Sequence, residues 1–104
     1  MSYRYLFTTS GRYVAFMYGD CLFTPQSQYL GFIRNGNEFH NKSGQFVGYV
    51  TDDDRVVRNR QELPRLPVLR RLPPLQPLPP LPPLPRLPKL PLPWPYEDVF
   101  ENIK

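Results

Sequence analysis

One cysteine and one histidine are the side chains of this sequence best suited to nucleophilic and general-base chemistry. A thiolate activated by a neighbouring imidazole can attack a carbonyl carbon, so Cys21 and His40 would be the catalytic pair of a small hydrolase. However, Cys21 begins an apolar segment, where a buried thiol is inert, and His40 lies in a polar turn. We therefore predict that the chain is not an enzyme and has no catalytic residues.

A run of three acidic residues, Asp52-Asp53-Asp54, is the next pattern that suggests chemistry. Three carboxylates could bind a cation, but adjacent acids in a polar turn usually face water. A single cysteine excludes an internal disulfide framework and a cysteine-based zinc site. The sequence also contains no phosphate-binding loop, zinc-protease motif or calcium loop, so we expect no metal and no cofactor.

The composition divides the 104 residues into two parts. Residues 1–62 hold all six glycines, most of the aromatic residues and one proline, whereas residues 63–104 hold the other fourteen of fifteen prolines. A folded part of about sixty residues is near the lower limit for an independent core, and we expect the fragment 1–62 to fold alone. Because no long apolar run predicts a membrane span and no signal peptide is visible, we expect a cytoplasmic location.

The net charge of +4 is modest, and the basic residues do not cluster with stacking aromatic residues as they do in nucleic-acid-binding proteins. Most of those in the proline-rich part are separated by leucines and prolines. Nucleic acid is therefore not an expected partner. A basic module that binds nucleic acid or an anionic membrane surface remains the alternative function.

The first part of the chain is an internal repeat. Residues 6–16 align with residues 22–32 at an offset of sixteen, a third copy covers residues 38–49, and a partial fourth begins at residues 55–58. Each complete copy has a short strand, a polar turn and a second strand rich in aromatic and β-branched residues, which predicts a β-hairpin. Short connections such as Asn35-Gly36 predict tight turns between the copies. The fold class is therefore all-β, a small antiparallel hairpin repeat with pseudo-four-fold symmetry.

Each complete copy has a small residue at one position of its second strand. A recurrent small residue in a strand predicts a close approach of another backbone, here between neighbouring copies. Aromatic residues next to these positions are expected to flank that contact and fill the centre of the domain. The small residues are Ala15, Gly31 and Gly48, and the aromatic residues are Phe16, Phe32 and Tyr49.

The segments YLGFIRNG and GQFVGYVTDD resemble the repeats of the four-fold beta flower domain, a family of four short hairpins around a pseudo-four-fold axis. The resemblance covers about residues 3–58 and, loosely, the proline-rich part, because members often continue into a Leu/Ile-Pro tract. It implies a bacterial protein and brings no catalytic residue. Since only three hairpins are complete, either Met1–Tyr5 pairs with Arg55–Arg58 to complete the fourth, or the ring stays open and invites a partner strand.

Three regions follow from these patterns: a β-hairpin head (residues 1–60), a Leu/Pro-rich tract (residues 61–95) and a C-terminal segment (residues 96–104). In the tract, leucine recurs at every third position from Leu63 to Leu90, ten in all. Proline excludes an α-helix and a central strand, so we predict a polyproline II helix, in which these ten leucines form one line, the leucine row. A straight rod over residues 63–96 would span about 105 Å. We expect the leucine row to dock against a partner, against a second copy or back onto the head.

Apolar residues in the C-terminal segment follow the spacing of one helix face, which predicts a short amphipathic helix over residues 96–104. A helix this short is unstable alone in water, so we expect it to act as a docked anchor. The chain is thus predicted to be a non-catalytic assembly protein that binds subunits of a larger complex, with self-association as a variant. The predicted partner-binding residues are Leu66, Leu69, Leu72, Leu75, Leu78, Leu81, Leu84, Leu87, Leu90, Trp94, Tyr96, Val99, Phe100 and Ile103.

Overall fold

Eight strands form one antiparallel sheet in which each strand pairs with the next along the chain. The structure is a computed structural model that describes residues 3–84 and 86–100. The described residues contain no helix, and therefore none that is long and apolar enough to cross a membrane. The predicted all-β antiparallel meander is confirmed. The strands are Tyr3–Phe7 (β1), Tyr13–Tyr18 (β2), Cys21–Phe23 (β3), Tyr29–Arg34 (β4), Glu38–Asn41 (β5), Phe46–Val50 (β6), Val56–Asn59 (β7) and Tyr96–Asp98 (β8).

Four turns of the head share one hydrogen-bonding pattern. A side-chain oxygen of the first turn residue accepts a hydrogen bond from the backbone N–H four residues later, at 3.0–3.3 Å. These first residues are Thr8, Thr24, Asn41 and Thr51. Side chains of this kind stabilise turns by bonding to nearby backbone. Three of the turns close the hairpins β1–β2, β3–β4 and β5–β6, and the fourth joins β6 to β7.

The small residues of the repeat lie where the backbones of neighbouring hairpins meet. A Cβ atom at Gly48 would collide with the carbonyl oxygen of Val57 on β7, and one at Gly31 would collide with that of His40 on β5. Ala15 is fully buried. The predicted close approach between neighbouring copies is therefore confirmed at Gly31 and Gly48.

Two apolar clusters lie on opposite faces of the sheet, because adjacent residues of a strand point to opposite sides. The central core contains Leu6, Ala15, Leu22, Ile33, Phe39, Val50, Val56 and Phe100. The second cluster contains Phe16, Cys21, Phe23 and Phe32, with partly buried tyrosines and Val68 of the tract packed against it. The expectation that Phe16 and Phe32 fill the centre is wrong, because strand alternation turns their rings towards the tract. Tyr49, the third aromatic residue expected there, is only partly buried.

The fourth hairpin is completed by the far end of the described chain. Strand β7 pairs with β8, with Val57 opposite Asp98 and Asn59 opposite Tyr96. The expected pairing of the N-terminal residues with Arg55–Arg58 is wrong for the described part, because β1 pairs with β2. Residues 1–2 lie outside the described residues.

The helix predicted over residues 96–104 is wrong where the chain is described. Tyr96–Asp98 form β8, because the open edge of β7 offers backbone partners that an isolated short helix does not have. Glu97 is also ion paired with Arg58 and Arg60 of the β7 region. Residues 101–104, including Ile103, lie outside the described residues.

The tract is part of the loop of this fourth hairpin. Residues 60–95, which are 36 residues, connect β7 to β8 without helix or strand in the described part. A straight rod is excluded, because the molecule measures only 37 × 37 × 24 Å along its principal axes. The tract instead folds back over the head and passes the turns of the third, second and first hairpins in that order, with hydrogen bonds at Gly44, Ser27 and Thr9.

Candidate protein-interaction surface

The side of the tract that faces the head has a three-residue period. Seven residues on this side are partly buried, while their neighbours in sequence are exposed. They are Val68, Pro77, Pro80, Pro83, Lys89, Leu92 and Pro95. Three arginines, at positions 65, 71 and 86, follow the same spacing and lie over aromatic rings of the head. The positions from 65 to 95 in steps of three are termed the inward row.

Hydroxyl groups of the head bind carbonyl oxygens of the tract. Tyr3 donates to the carbonyl of Leu78 at 3.0 Å, and Tyr5 donates to that of Leu81 at 2.7 Å. Ser27 donates to the carbonyl of Pro77. Because proline has no N–H and the tract forms no ladder of its own, these carbonyls depend on donors from outside the tract.

The backbone of the tract also bonds directly to turns of the head. The N–H of Val68 donates to the carbonyl of Gly44 at 2.9 Å, and the N–H of Lys89 donates to that of Thr9 at 2.8 Å. A Cβ atom at Gly44, where φ is +90°, would collide with the carbonyl oxygen of Val68. Glycine here therefore serves both the left-handed turn and the close approach of the tract.

The inward arginines are held over ring faces. A guanidinium within about 6 Å of a ring centroid is attracted by the negative face of the ring, and the aliphatic part of the arginine covers apolar surface. The distances are 3.9 Å for Arg65 over Phe46, 5.1 Å for Arg71 over Phe32 and 4.1 Å for Arg86 over Phe7.

Two residues of the acidic run, Asp53 and Asp54, form ion pairs. Asp54 lies 2.8 Å from both Arg4 of β1 and Arg86 of the tract. Burial alone would raise the pKa of Asp54, but hydrogen bonds from Arg86 and Arg4 hold this pKa below its ordinary value. A hydrogen bond from Arg55 likewise lowers the pKa of Asp53. Within residues 3–84 and 86–100, no group of three metal-ligating side chains could hold a metal ion.

The leucine row points away from the head. All ten leucines from Leu63 to Leu90 are 78–96% exposed, which is the opposite of what docking onto the head would give. The tract does fold back onto the head, but it does so through the inward row. Trp94 and Tyr96, at the end of the tract, are also exposed.

Two other predicted partner-binding residues lie inside the head. Phe100 is 6% exposed in the central core, with its ring centroid 6.2 Å from that of Phe39. Val99 packs against the same core and donates its N–H to the carbonyl of Val56 at 2.9 Å. These residues stabilise the fourth hairpin, and we do not include them in the interaction surface.

Cys21 and His40 are not brought together. Cys21 lies opposite Phe32, which lies opposite His40, so two strand spacings of about 4.8 Å each separate their backbones. The His40 ring stacks on Phe32 at 5.5 Å. Burial raises the pKa of the Cys21 thiol despite the nearby Arg71, and burial together with Arg34 lowers the pKa of His40. Proton transfer between these two side chains needs a contact that this arrangement does not provide.

The inward row was missed in the sequence, although a signal was present. Arg65, Arg71, Arg86 and Lys89 all share one phase, two positions after the leucines, whereas only Arg70 does not. Four of the five basic residues of the tract thus lie in the phase that faces the head. Ion pairs also occupy six arginines of the described chain, which reduces the basic surface available to phosphates; these are Arg4, Arg55, Arg58, Arg60, Arg65 and Arg86.

Comparisons with known proteins support the resemblance seen in the sequence. The chain matches the family described as 4-fold beta flower protein over residues 1–96. Comparisons with curated proteins and with solved structures gave no match. The family match includes the three short-turn hairpins, the whole tract and the first residue of β8. This chain therefore belongs to the 4-fold beta flower protein family.

Proposed function

We propose that this protein is a non-catalytic structural subunit of a larger assembly and that its leucine row binds a partner protein. The strongest support is that ten leucines, spaced three residues apart in the sequence, are each 78–96% exposed. Monomeric proteins rarely expose a contiguous apolar patch larger than a few hundred Å², and such patches usually mark interaction sites.

The tract is suited to this role if it adopts the polyproline II conformation, which we propose from its composition and from the three-residue period of its exposure. In that conformation, successive leucines lie about 9 Å apart along one side. Proline restricts the backbone before binding, so association orders little additional chain and loses little conformational entropy.

The leucine row has the size of a specific interface. Burying one leucine stabilises by about 2 kcal/mol, which corresponds to about 80 Å² at about 25 cal/mol per Å². Ten leucines would therefore bury about 800 Å², the area that one partner contributes to a standard interface. Trp94 and Tyr96 extend the surface at one end with residue types that often dominate binding energy.

The partner is expected to present an apolar groove with little charge. The exposed positions that flank the leucines are mostly proline, with Arg70 and Gln76 among them. Binding through leucine burial should change little between low and high salt, whereas binding to nucleic acid or an anionic membrane would weaken steeply. Co-sedimentation of the wild-type protein at two salt concentrations separates these functions.

The direct test replaces Leu75, Leu78, Leu81 and Leu84 with serine and follows co-sedimentation with a large assembly in native extract. Half-burial of four leucines is worth about 4 kcal/mol, so the serine variant should lose about a thousandfold in affinity and leave the assembly. A matched variant with methionine at the same four positions keeps the apolar surface and should remain bound.

Both variants keep every proline and the entire inward row, so their melting temperatures should equal that of the wild type. Equal co-sedimentation of the serine variant and the wild type would refute the proposed role of the leucine row.

A further inference from the structure

We propose that the aromatic face of the head is a polyproline II-binding site, whose ligand is a proline-rich segment with arginines in register and whose resident ligand is the tract. The aromatic face is defined by Tyr3, Tyr5, Phe7, Tyr29, Phe32 and Phe46. This site contacts the side of the tract opposite to the leucine row, so its test does not depend on the partner proposed above.

The chemistry of this face fits that class of ligand. Polyproline II segments bind to grooves lined by aromatic residues, where prolines pack against rings and hydroxyl groups bond to the free carbonyls. The rings of this face are held in place by neighbouring rings: Tyr3 contacts Phe16 at 5.4 Å between centroids, and Tyr29 contacts Phe23 at 6.0 Å. Tyr5 and Phe7 both contact Tyr13, and Phe32 and Phe46 both contact His40. Three of the four partly buried prolines of the inward row, Pro77, Pro80 and Pro83, lie in the part of the tract that the tyrosine hydroxyls hold.

Two tyrosine hydroxyl groups on one strand bind carbonyls that are three residues apart in the tract. Tyr3 and Tyr5 are two residues apart on β1 and therefore point to the same face, about 7 Å apart. The carbonyls that they bind, those of Leu78 and Leu81, are three residues apart, which is one turn of polyproline II or about 9 Å. Alternate strand residues are thus paired with successive turns of the ligand.

Arginines fix the register at both ends of this stretch. Arg71 lies over Phe32 and Arg86 lies over Phe7, and the two are fifteen residues apart, which is five turns of three. Arg86 also forms an ion pair with Asp54 at 2.8 Å. The site therefore selects a segment in which cations flank the prolines at a multiple of three residues.

Insertions in the full-length chain test this register. One proline inserted after Leu75 moves Arg86 and Lys89 out of the inward phase, whereas insertion of Pro-Pro-Leu at the same place keeps the phase and lengthens the tract more. We expect the single insertion to lower the melting temperature more than the triple insertion. If the triple insertion lowers it as much or more, the tract is held by its ends alone and the proposal is wrong.

Binding of separate peptides tests the site directly. A protease site placed between Arg60 and Gln61, which are both exposed in a turn, allows the folded chain to be cut there. Labelled peptides of residues 61–104 then compete with the resident fragment; they include β8 and Phe100, which would otherwise keep the cut tract attached to the head. The wild-type peptide should displace the tract, and a peptide with four outward leucines changed to serine should do so equally well. A peptide with one proline inserted after Leu75 should bind at least about tenfold more weakly, because the Arg86 contacts are lost.

The peptide result is decisive in both directions. Failure of the wild-type peptide to compete, or equal competition by the peptide with one inserted proline, would overturn the proposal. Loss of competition in the serine peptide would also overturn it, because the leucine side of the tract would then carry the recognition.

Discussion

The first three hairpins and the fourth use the same antiparallel strand pairing, but they are closed in different ways. Short turns close the first three, whereas 36 residues separate β7 from β8. Closing a loop of that length costs only about 2 kcal/mol more than closing a five-residue turn. The comparison shows that the tract is an insertion within the fold, because a core residue, Phe100, follows it in the chain.

Truncation after Glu62 gives the largest expected effect, because it removes β8 and Phe100 together with the tract. Loss of a buried phenylalanine side chain alone costs about 3–5 kcal/mol, and a domain of this size has about 5–15 kcal/mol of stability in total. We therefore expect fragment 1–62 to be unfolded by circular dichroism, whereas composition alone predicts that it folds. Truncation after Phe100 is the control and should melt cooperatively; similar cooperative melting of fragment 1–62 would show that the fourth hairpin is dispensable.

A pair of glycine substitutions sharpens the comparison by isolating the contact between tract and turn. Gly44 and Gly36 have nearly the same φ, +90° and +86°, but only Gly44 has the tract against it. Gly36→Ala should cost about 1–2 kcal/mol of backbone strain. Gly44→Ala should cost about 1–3 kcal/mol more, because its Cβ displaces the Val68 carbonyl. Equal free energies of unfolding in urea for the two variants would mean that the tract does not pack on this turn.

The Asp54 ion pairs should contribute less to stability than the fourth hairpin or the Gly44 contact, and their contribution should depend on pH. The folded-state pKa of Asp54 is lowered, so its contribution to stability is complete above the ordinary aspartate pKa of about 3.9 and is lost as the pH falls through the folded-state value. Asp54→Asn should therefore be less stable than the wild type at neutral pH, by about 1 kcal/mol, and the difference should shrink in acid. Thermal melting at several pH values measures this, and a difference that grows in acid would contradict the assigned ion pairs.

The hairpin repeat was predictable because local patterns determine it. Alternating aromatic residues, polar turns and recurrent small residues such as Gly48 act over a few positions, and the structure retains all of them. Strand β8 was not predictable in the same way. Its apolar spacing fits a helix face, and only the open edge of β7, far away in sequence, favours a strand.

The leucine row was predictable from the sequence, but the direction in which it faces was not. The three-residue period identifies the leucine row, but periodicity alone does not show which row contacts the head. The deciding contacts are long-range, such as Arg86 with Asp54 and Tyr5 with the carbonyl of Leu81. A stripe of leucines is the obvious candidate for burial, yet here the arginines and prolines two positions further along face the aromatic rings.

The division of the tract into an inward and an outward row can be measured by cysteine scanning. In a Cys21→Ala background, each residue from 75 to 84 is replaced by cysteine in turn, and the rate of maleimide labelling is measured for the native protein. Labelling should be slowest at positions 77, 80 and 83 and fast at the leucine positions 75, 78, 81 and 84, with a period of three. Uniform rates, or slow labelling at the leucine positions, would contradict the account.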